Sequence, residues 1–116
     1  MYRIIITEPA DQDMTEAAVY IAEKLYNPTA ADRLIDEAYK AIFSLDKMPH
    51  RHRLVDDEYL ASCGMRFFPV RNHIVFYIVF EERNTVEIER FLYSARNWAA
   101  ILKGNEPEDD NFYPTL

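Results

Sequence analysis

The sequence predicts an α+β domain in which a helical hairpin packs on a mainly antiparallel four-stranded sheet. Apolar residues recur at helical spacing through residues 9–46, whereas extended apolar runs separated by short polar turns fill residues 64–98. The resulting order is one strand, two helices, three strands and a short final helix. We expect residues 1–103 to form a single domain and residues 104–116 to be an acidic, mobile tail.

The first strand and the first helix follow one another closely. Residues 2–7 are β-branched at their centre, and Pro9 both stops the strand and suits the first turn of a helix. The negative charges of Glu8, Asp11 and Asp13 are expected to interact favourably with the positive N-terminal end of this helix. The apolar stripe of the helix has the 3.6-residue period and consists of Met14, Ala17, Ala18, Ile21, Ala22 and Leu25.

The second helix is predicted to begin near Thr29, which has capping-box spacing to Asp32, and to end near Leu45. Because only Asn27 and Pro28 separate the two helices, they should form an antiparallel hairpin whose stripes both face the sheet. The predicted core then comprises Ile4, Ile6, Ile21, Leu25, Leu34, Ile35, Ala38, Ile42, Leu45, Val75, Tyr77, Val79, Val86 and Ile88.

The strands after residue 64 differ in their exposure. Residues 74–80 are apolar at odd and even positions alike, which indicates a central strand that is buried on both faces. Residues 85–93 alternate between apolar and polar, which predicts a half-exposed strand next to it. Val86, Ile88 and Leu92 should share its buried face.

Two short turns and one long connection join the predicted elements. Arg71-Asn72 and Arg83-Asn84 separate the apolar runs, and the asparagines are expected to take the left-handed conformation of a tight turn. Residues 46–63 are predicted to be irregular, and long connections are where binding groups tend to lie. Residues 94–102 should form the final helix, with inward-facing Trp98, Ile101 and Leu102.

Composition limits the classes of function. The apolar fraction of 49% favours a folded core, and no apolar run is long enough to span a membrane. The single cysteine, Cys63, excludes an internal disulfide and indicates a reduced, cytoplasmic setting. The net charge of −7 argues against a general nucleic-acid binder. Residues 47–103 alone are mildly basic, with 9 Lys/Arg against 7 Asp/Glu and all three histidines.

Candidate binding residues therefore concentrate in the middle of the chain. The competing interpretation of Arg66, Arg90 and Arg96 is structural pairing with carboxylates such as Glu87 and Glu89. We interpret eight residues as candidates for contacting a nucleic acid or a protein target: His50, Arg51, His52, Arg53, Arg66, Arg71, Arg90 and Arg96.

His73 and Tyr77 are candidate acid–base groups, and each has a simpler alternative. A histidine titrates near neutrality, but His73 lies next to a turn, where a solvated residue is the commoner finding. Tyr77 is either a catalytic acid or, more commonly in a central strand, a core residue with a bonded hydroxyl. His50 and His52, with Cys63 distant, do not make a recognisable zinc-ligand set. We expect no metal and no cofactor.

Three short motifs follow one another along residues 64–98. Arg66 is followed three residues later by Pro69-Val70, the central strand contains Phe76-Tyr77, and the last strand is followed by Ser94-Ala95-Arg96-Asn97. This progression resembles that of the RelE/ParE superfamily, the toxins of type II toxin–antitoxin systems. Asn97 stands where the superfamily pattern ends in aspartate. The Ser-Ala-Arg-Asn run is similar to the Gly-Ala-Arg-Asp of ParE-like members, so the resemblance is closer to that branch.

The resemblance implies a toxin that is neutralised by a cognate antitoxin. ParE-like members poison DNA gyrase, a topoisomerase, by binding to it, and this is the function we favour. RelE-like members instead cut messenger RNA on the ribosome, with Arg66 as the phosphate clamp, His73 or His52 as the proton shuttle and Tyr77 as a catalytic group. Ser94 and Trp98 replace groups that this cleavage uses. A third alternative is a degenerate, non-toxic protein-interaction module.

Overall fold

The computed structural model describes residues 1–105. It has a helical hairpin on one face of a four-stranded sheet and two short helices on the other. The predicted fold class is therefore confirmed. The acidic tail predicted for residues 104–116 lies outside the described residues from residue 106 onward.

The hairpin consists of α1 (Glu8–Val19), which continues as a π-helical turn (Tyr20–Lys24), and α2 (Pro28–Phe43). The Thr7 hydroxyl caps α1 by accepting a hydrogen bond from the Ala10 amide at 3.2 Å. Helix α1 thus begins one residue after the cap, as the position of its proline in the first turn requires.

The cap of α2 differs from the prediction. The Asn27 side chain accepts a hydrogen bond from the Ala30 amide at 3.1 Å, and Pro28 is the first helical residue. The predicted capping box of Thr29 and Asp32 is wrong, because Asn27 already occupies the cap position ahead of the proline.

The sheet has the order β1-β4-β3-β2, where β1 is Arg3–Ile6, β2 is Arg66–Val70, β3 is His73–Phe80 and β4 is Thr85–Tyr93. β1 pairs in parallel with β4, and the other pairs are antiparallel, so the sheet is mixed. Both β3 and β4 are central. No residue of β4 is exposed, so the prediction that the last strand is half-exposed is wrong; β1 pairs with its outer edge, and both of its faces are covered.

Both predicted turns are present, and they differ in the residue that bends the chain. Asn84 has φ of 50°, as predicted for an asparagine. In the other turn Arg71 is left-handed, with φ of 54°, instead of the predicted Asn72. Its guanidinium pairs with the Glu37 carboxylate on α2 at 2.7 Å, and this contact holds Arg71 in place.

Two short helices cover the second face of the sheet. Residues 46–63, predicted to be irregular, contain α3 (Glu58–Ser62), which the Asp57 side chain caps. The final helix, α4 (Trp98–Leu102), is shorter than predicted because Asn97 caps it. The segment before it forms a turn.

The register between β3 and β4 shifts at Glu89, which is an extra residue on β4. This β-bulge changes the face to which alternate residues point. Ile88 packs against the helical hairpin, and so does Phe91, three residues later. Leu92 therefore packs on the opposite face, and the prediction that it shares a face with Ile88 is wrong.

The two faces of the sheet have separate cores. The core under the hairpin includes every predicted core residue except Leu25, which is 40% exposed at the tip of the hairpin. In the second core the rings of Trp98 and Phe76 lie 5.3 Å apart, which confirms that α4 faces inward. That core consists of Val55, Leu60, Met65, Phe76, Leu92 and Ile101.

A buried ion pair joins the hairpin to the sheet. Arg90 donates two hydrogen bonds to the Asp13 carboxylate, at 2.6 and 2.8 Å, and the Phe91 amide donates a third at 3.0 Å. The side chains of Arg90 and Asp13 are 12% and 7% exposed. β1 ends at Ile6, so the Asp13 carboxylate serves a part of the β4 edge that β1 does not reach.

We expect the substitution Asp13→Ala to lower the free energy of unfolding by about 3–5 kcal/mol, because the buried Arg90 guanidinium loses two hydrogen bonds to a carboxylate and the Phe91 amide loses its acceptor. Urea denaturation followed by circular dichroism measures the change. Asp11→Ala, at an exposed position of the same helix, is the control and should change stability by less than about 0.5 kcal/mol. Equal, small effects of the two substitutions would contradict this role for Asp13.

Candidate functional site

The candidate target-binding residues gather in two places. His50, Arg51, His52 and Arg53 lie in residues 47–53, the loop after α2, which we call the basic loop. The other four lie on the strands or in the turns next to them. Arg66 joins the two groups, because its side chain extends from β2 to the basic loop.

Arg66 is bonded to the backbone of the basic loop. Its Nη1 atom donates to the carbonyl oxygens of His50, at 3.3 Å, and His52, at 2.7 Å. These bonds hold the loop against the edge of the sheet. Part of the Arg66 guanidinium, which was predicted to clamp a phosphate, thus donates hydrogen bonds to carbonyl oxygens of the same chain.

Arg51 also binds backbone carbonyls. Its Nη1 atom donates to the carbonyl of Lys47 at 2.9 Å and to that of Ser44 at 3.3 Å. Carbonyls that follow a helix lack intrahelical partners, and a basic side chain there stabilises the end of the helix. Arg51 therefore fixes the path of the chain as it leaves α2.

The two histidines of the basic loop contact different parts of the domain. His50 Nε2 lies 2.6 Å from the Glu81 carboxylate, which also accepts a hydrogen bond from the Tyr2 hydroxyl at 2.9 Å. The His52 ring stacks on Phe68, with ring centroids 4.6 Å apart. Partial burial, with a smaller contribution from the nearby Arg51 charge, lowers the pKa of His52.

Arg53 is the residue of the basic loop that is most available to a partner. Its side chain is 69% exposed and lies 3.3 Å from the Asp56 carboxylate. The guanidinium also lies over the ring of Phe67, at 4.9 Å from its centroid. Exposed pairs of this kind are weak, so a ligand can compete for Arg53.

Tyr77 is a core residue. It is fully buried, and its hydroxyl donates a hydrogen bond to the Pro49 carbonyl at 2.6 Å. Burial raises the pKa of Tyr77. The structural alternative is therefore the better description, because a catalytic acid must reach its substrate.

His73 is buried, which contradicts the prediction of a solvated turn residue. It is 3% exposed, and its ring stacks on Phe91 with centroids 4.8 Å apart and an angle of 5° between the planes. Burial lowers the pKa of His73 to about 4. The ring is neutral at physiological pH, but it lies under the helical hairpin.

The remaining arginines contact the fold itself. Arg71 makes a bidentate pair with Glu37, at 2.7 and 2.8 Å, and Arg90 makes the buried pair with Asp13. Arg96 is half-buried in the turn between β4 and α4, where its amide donates to the Tyr93 carbonyl at 3.0 Å. Arg90 is thus a structural residue rather than a target-binding one.

The carboxyl groups of Glu87 and Glu89 on β4 interact with each other, which the sequence analysis did not predict. Burial, followed by a hydrogen bond and charge repulsion from Glu87, raises the pKa of Glu89 to about 8. Glu89 therefore holds a proton at neutral pH. The position of Glu89 depends on the β-bulge, and the alternation of apolar and polar residues along the strand does not predict that bulge.

The arrangement suits binding better than acid–base chemistry. The three candidate catalytic residues, Arg66, His73 and Tyr77, project towards the face of the sheet that the hairpin covers.

Among residues 1–105, no three His, Cys, Asp or Glu side chains are placed to hold a metal ion. Within the same residues, none of the helices combines the length and apolar character needed to cross a bilayer.

An open cavity of about 360 Å³ lies between the tip of the hairpin and the turn that joins β2 to β3. We call it the hairpin-tip cavity. Sequence reasoning missed it, because its walls come from distant segments of the chain. They include Tyr20, Ile21, Leu25, Leu34, His73 and Tyr93.

Residues 4–98 match the family described as ParE toxin of type II toxin–antitoxin system, parDE. The chain belongs to the ParE toxin family. This confirms the resemblance inferred from Arg66, Phe76-Tyr77 and the Ser94-Ala95-Arg96-Asn97 run. No curated protein sequence matches this ParE-family chain at a significant level.

Two solved structures share the fold of this ParE-family chain. A chain of the chromosomal ParDE toxin–antitoxin system from P. aeruginosa superimposes with a TM-score of 0.65 at 15% identity, covering 80% of this chain and 96% of that one. A chain of the toxin–antitoxin complex RelBE2 from Mycobacterium tuberculosis gives 0.54 at 18% identity, covering 79% and 96%. The predicted RelE/ParE-like fold is confirmed.

We expect an NMR titration of His73 to give a pKa of about 4, against 6.5 for an unperturbed histidine. Between these values the unfolded chain binds a proton that the folded chain does not. The contribution of His73 to the free energy of unfolding should therefore be greatest above pH 6.5 and should fall as the pH is lowered towards 4. The full loss is at most about 3 kcal/mol.

The variant His73→Gln separates this effect from that of Glu89. The raised pKa of Glu89 acts in the opposite direction, because its contribution to stability is lost as the pH rises towards 8. The difference in pH dependence between the unmodified protein and His73→Gln isolates the histidine. A measured pKa near 6.5 would show that the ring is solvated.

Proposed function

We propose that this chain is the toxin of a cytoplasmic type II toxin–antitoxin pair and that it inhibits growth by binding DNA gyrase. Its family supports the first part. The burial of Tyr77 and His73 under the helical hairpin supports the second, because it removes the candidate acid–base groups from solvent. A toxin that acts by binding does not need them.

Cleavage of RNA makes demands that this site does not meet. Attack of a ribose hydroxyl on the adjacent phosphate requires a base, an acid and cations within hydrogen-bond reach of the reacting atoms. Here the Tyr77 hydroxyl is bonded to the Pro49 carbonyl, and Arg66 is bonded to the basic loop. An acidic protein with a net charge of −7 also gains little from attraction to phosphates.

The antitoxin is the second proposed partner. The structural neighbours come from a ParDE system and a RelBE2 complex, each of which pairs a toxin with an antitoxin. The helical hairpin of this chain, residues 8–43, carries 8 Asp/Glu against 3 Lys/Arg. We propose that the antitoxin segment that covers it combines apolar anchors with basic residues.

The alternative is the ribosome-dependent endonuclease, and the exposure of Arg53 favours it. Arg53 and its neighbour His52 would then be the groups that meet RNA, with Arg66 behind them. The non-toxic interaction module is what would remain if neither activity were present.

The decisive experiment compares Tyr77→Phe with the unmodified protein. The substitution removes one hydroxyl from a buried site and should cost about 1–3 kcal/mol of stability, because the Pro49 carbonyl loses its donor. We expect inhibition of gyrase supercoiling by purified protein to change by less than about 3-fold, since the hydroxyl lies in the core. Growth inhibition should persist and be relieved by co-expression of the adjacent small open reading frame.

Translating ribosomes provide the opposing measurement. We expect no toxin-dependent cuts in A-site codons. Cuts that disappear in Tyr77→Phe and in Arg66→Ala would establish the endonuclease instead. A folded protein that neither inhibits gyrase nor cuts messenger RNA would leave the interaction module.

A further inference from the structure

The hairpin-tip cavity has the form of a pocket for an apolar side chain. Ile21, Leu25 and Leu34 provide apolar walls, and the rings of Tyr20 and Tyr93 add aromatic surface. Its volume of about 360 Å³ is at the lower end of the range for ligand pockets.

The charged group of the cavity is already neutralised. Arg71 lines the wall, and its guanidinium makes the bidentate pair with Glu37 at 2.7 and 2.8 Å. A guanidinium that is already paired offers little attraction to a further anion. An apolar or aromatic group therefore fits the lining better than an anion does.

The backbone around the cavity departs from regular helix. The last turn of the first helix is the π-helix Tyr20–Lys24, a form that is rare and often found at functional sites. Tyr26 follows in the left-handed conformation, with φ of 52°, although glycine or asparagine adopts it at lower cost. Its side chain is 87% exposed, and its neighbours Leu25 and Asn27 both line the cavity.

Neither the left-handed backbone of Tyr26 nor the exposure of its ring stabilises the free protein. The observation indicates a role at a contact surface. The charge of the surrounding hairpin favours a basic partner, because 6 of its 8 Asp/Glu remain against 3 Lys/Arg when Asp13 and Glu37, already paired with Arg90 and Arg71, are left aside.

We infer that the hairpin-tip cavity receives an apolar or aromatic side chain from a basic segment of the antitoxin and that Tyr26 packs on the same segment at the rim. This rests on the proposed toxin–antitoxin function. The cavity is then the anchor point that fixes the register of the segment along the hairpin.

The first test fills the cavity. Ala30 lines it, so Ala30→Phe should block it, whereas Thr29→Phe adds the same ring at the neighbouring exposed position of α2. Isothermal calorimetry with the purified antitoxin of the adjacent open reading frame measures Kd. We expect Ala30→Phe to weaken binding roughly 30-fold or more, as loss of a hot-spot anchor does, and Thr29→Phe to change it by less than about 3-fold.

The second test leaves the cavity intact and changes its rim. Tyr26→Asn removes the aromatic ring and relieves the left-handed strain. Met48→Asn is the matched control, because Met48 is also left-handed, with φ of 51°, and 76% exposed, but lies beyond the other end of α2. Neither variant should lower the Tm. We expect Tyr26→Asn to weaken antitoxin binding roughly 10-fold and Met48→Asn to leave it within about 3-fold.

The outcomes separate the two levels of the proposal. If the antitoxin still binds, equal affinities for Ala30→Phe and Thr29→Phe would overturn the cavity as an anchor point. Equal affinities for Tyr26→Asn and Met48→Asn would overturn the contact of Tyr26 at the rim. An unmodified toxin that does not bind this antitoxin would overturn the proposed function and the inference with it.

Discussion

The position of the helical hairpin on the sheet depends on one carboxylate, that of Asp13. β1 is four residues long and β4 is nine, so β1 pairs with only part of the outer edge of β4. α1 starts directly after β1 and brings Asp13 to the Phe91 amide farther along that edge. The bulge at Glu89 offsets the strand so that the Arg90 side chain meets the same carboxylate. The hairpin-tip cavity lies at the far end of the helix that this contact fixes.

Much of the fold could be predicted because it follows from periodicity and turn chemistry. The two helices, the central strand and both hairpin turns leave signals that a few neighbouring residues determine. The sequence analysis places Asp13 at the charged end of a helix, although it belongs to a helical stripe with Ala10, Met14 and Ala17, all of which are buried. A polar residue inside such a stripe indicates a buried partner, and this signal was available in the sequence. The bulge at Glu89 left none.

The candidate site was harder to predict, because the same residue type serves two purposes. Arg51 and Arg66 bind backbone carbonyls, and Arg71 and Arg90 bind carboxylates on the hairpin. A count of basic residues in the middle of the chain does not reveal these contacts, since the partners lie far away in sequence. The mildly basic character of residues 47–103 is therefore largely directed inward, and Arg53 is the residue of the basic loop that stays open to a ligand.

The pairing of β1 with β4 also has a consequence for the order of events during synthesis. Arg3 pairs with Thr85, so the first strand to leave the ribosome has no partner until the last strand has been synthesised. The helical hairpin emerges before β2, β3 and β4, on which its apolar stripe packs, and contacts so distant in sequence form slowly. Until β4 has been synthesised, the sheet lacks one of its two central strands and Asp13 lacks its partners Arg90 and Phe91. A binding protein already present in the cell therefore meets this chain first as an incompletely folded polypeptide, whose helical hairpin has no complete sheet to pack on.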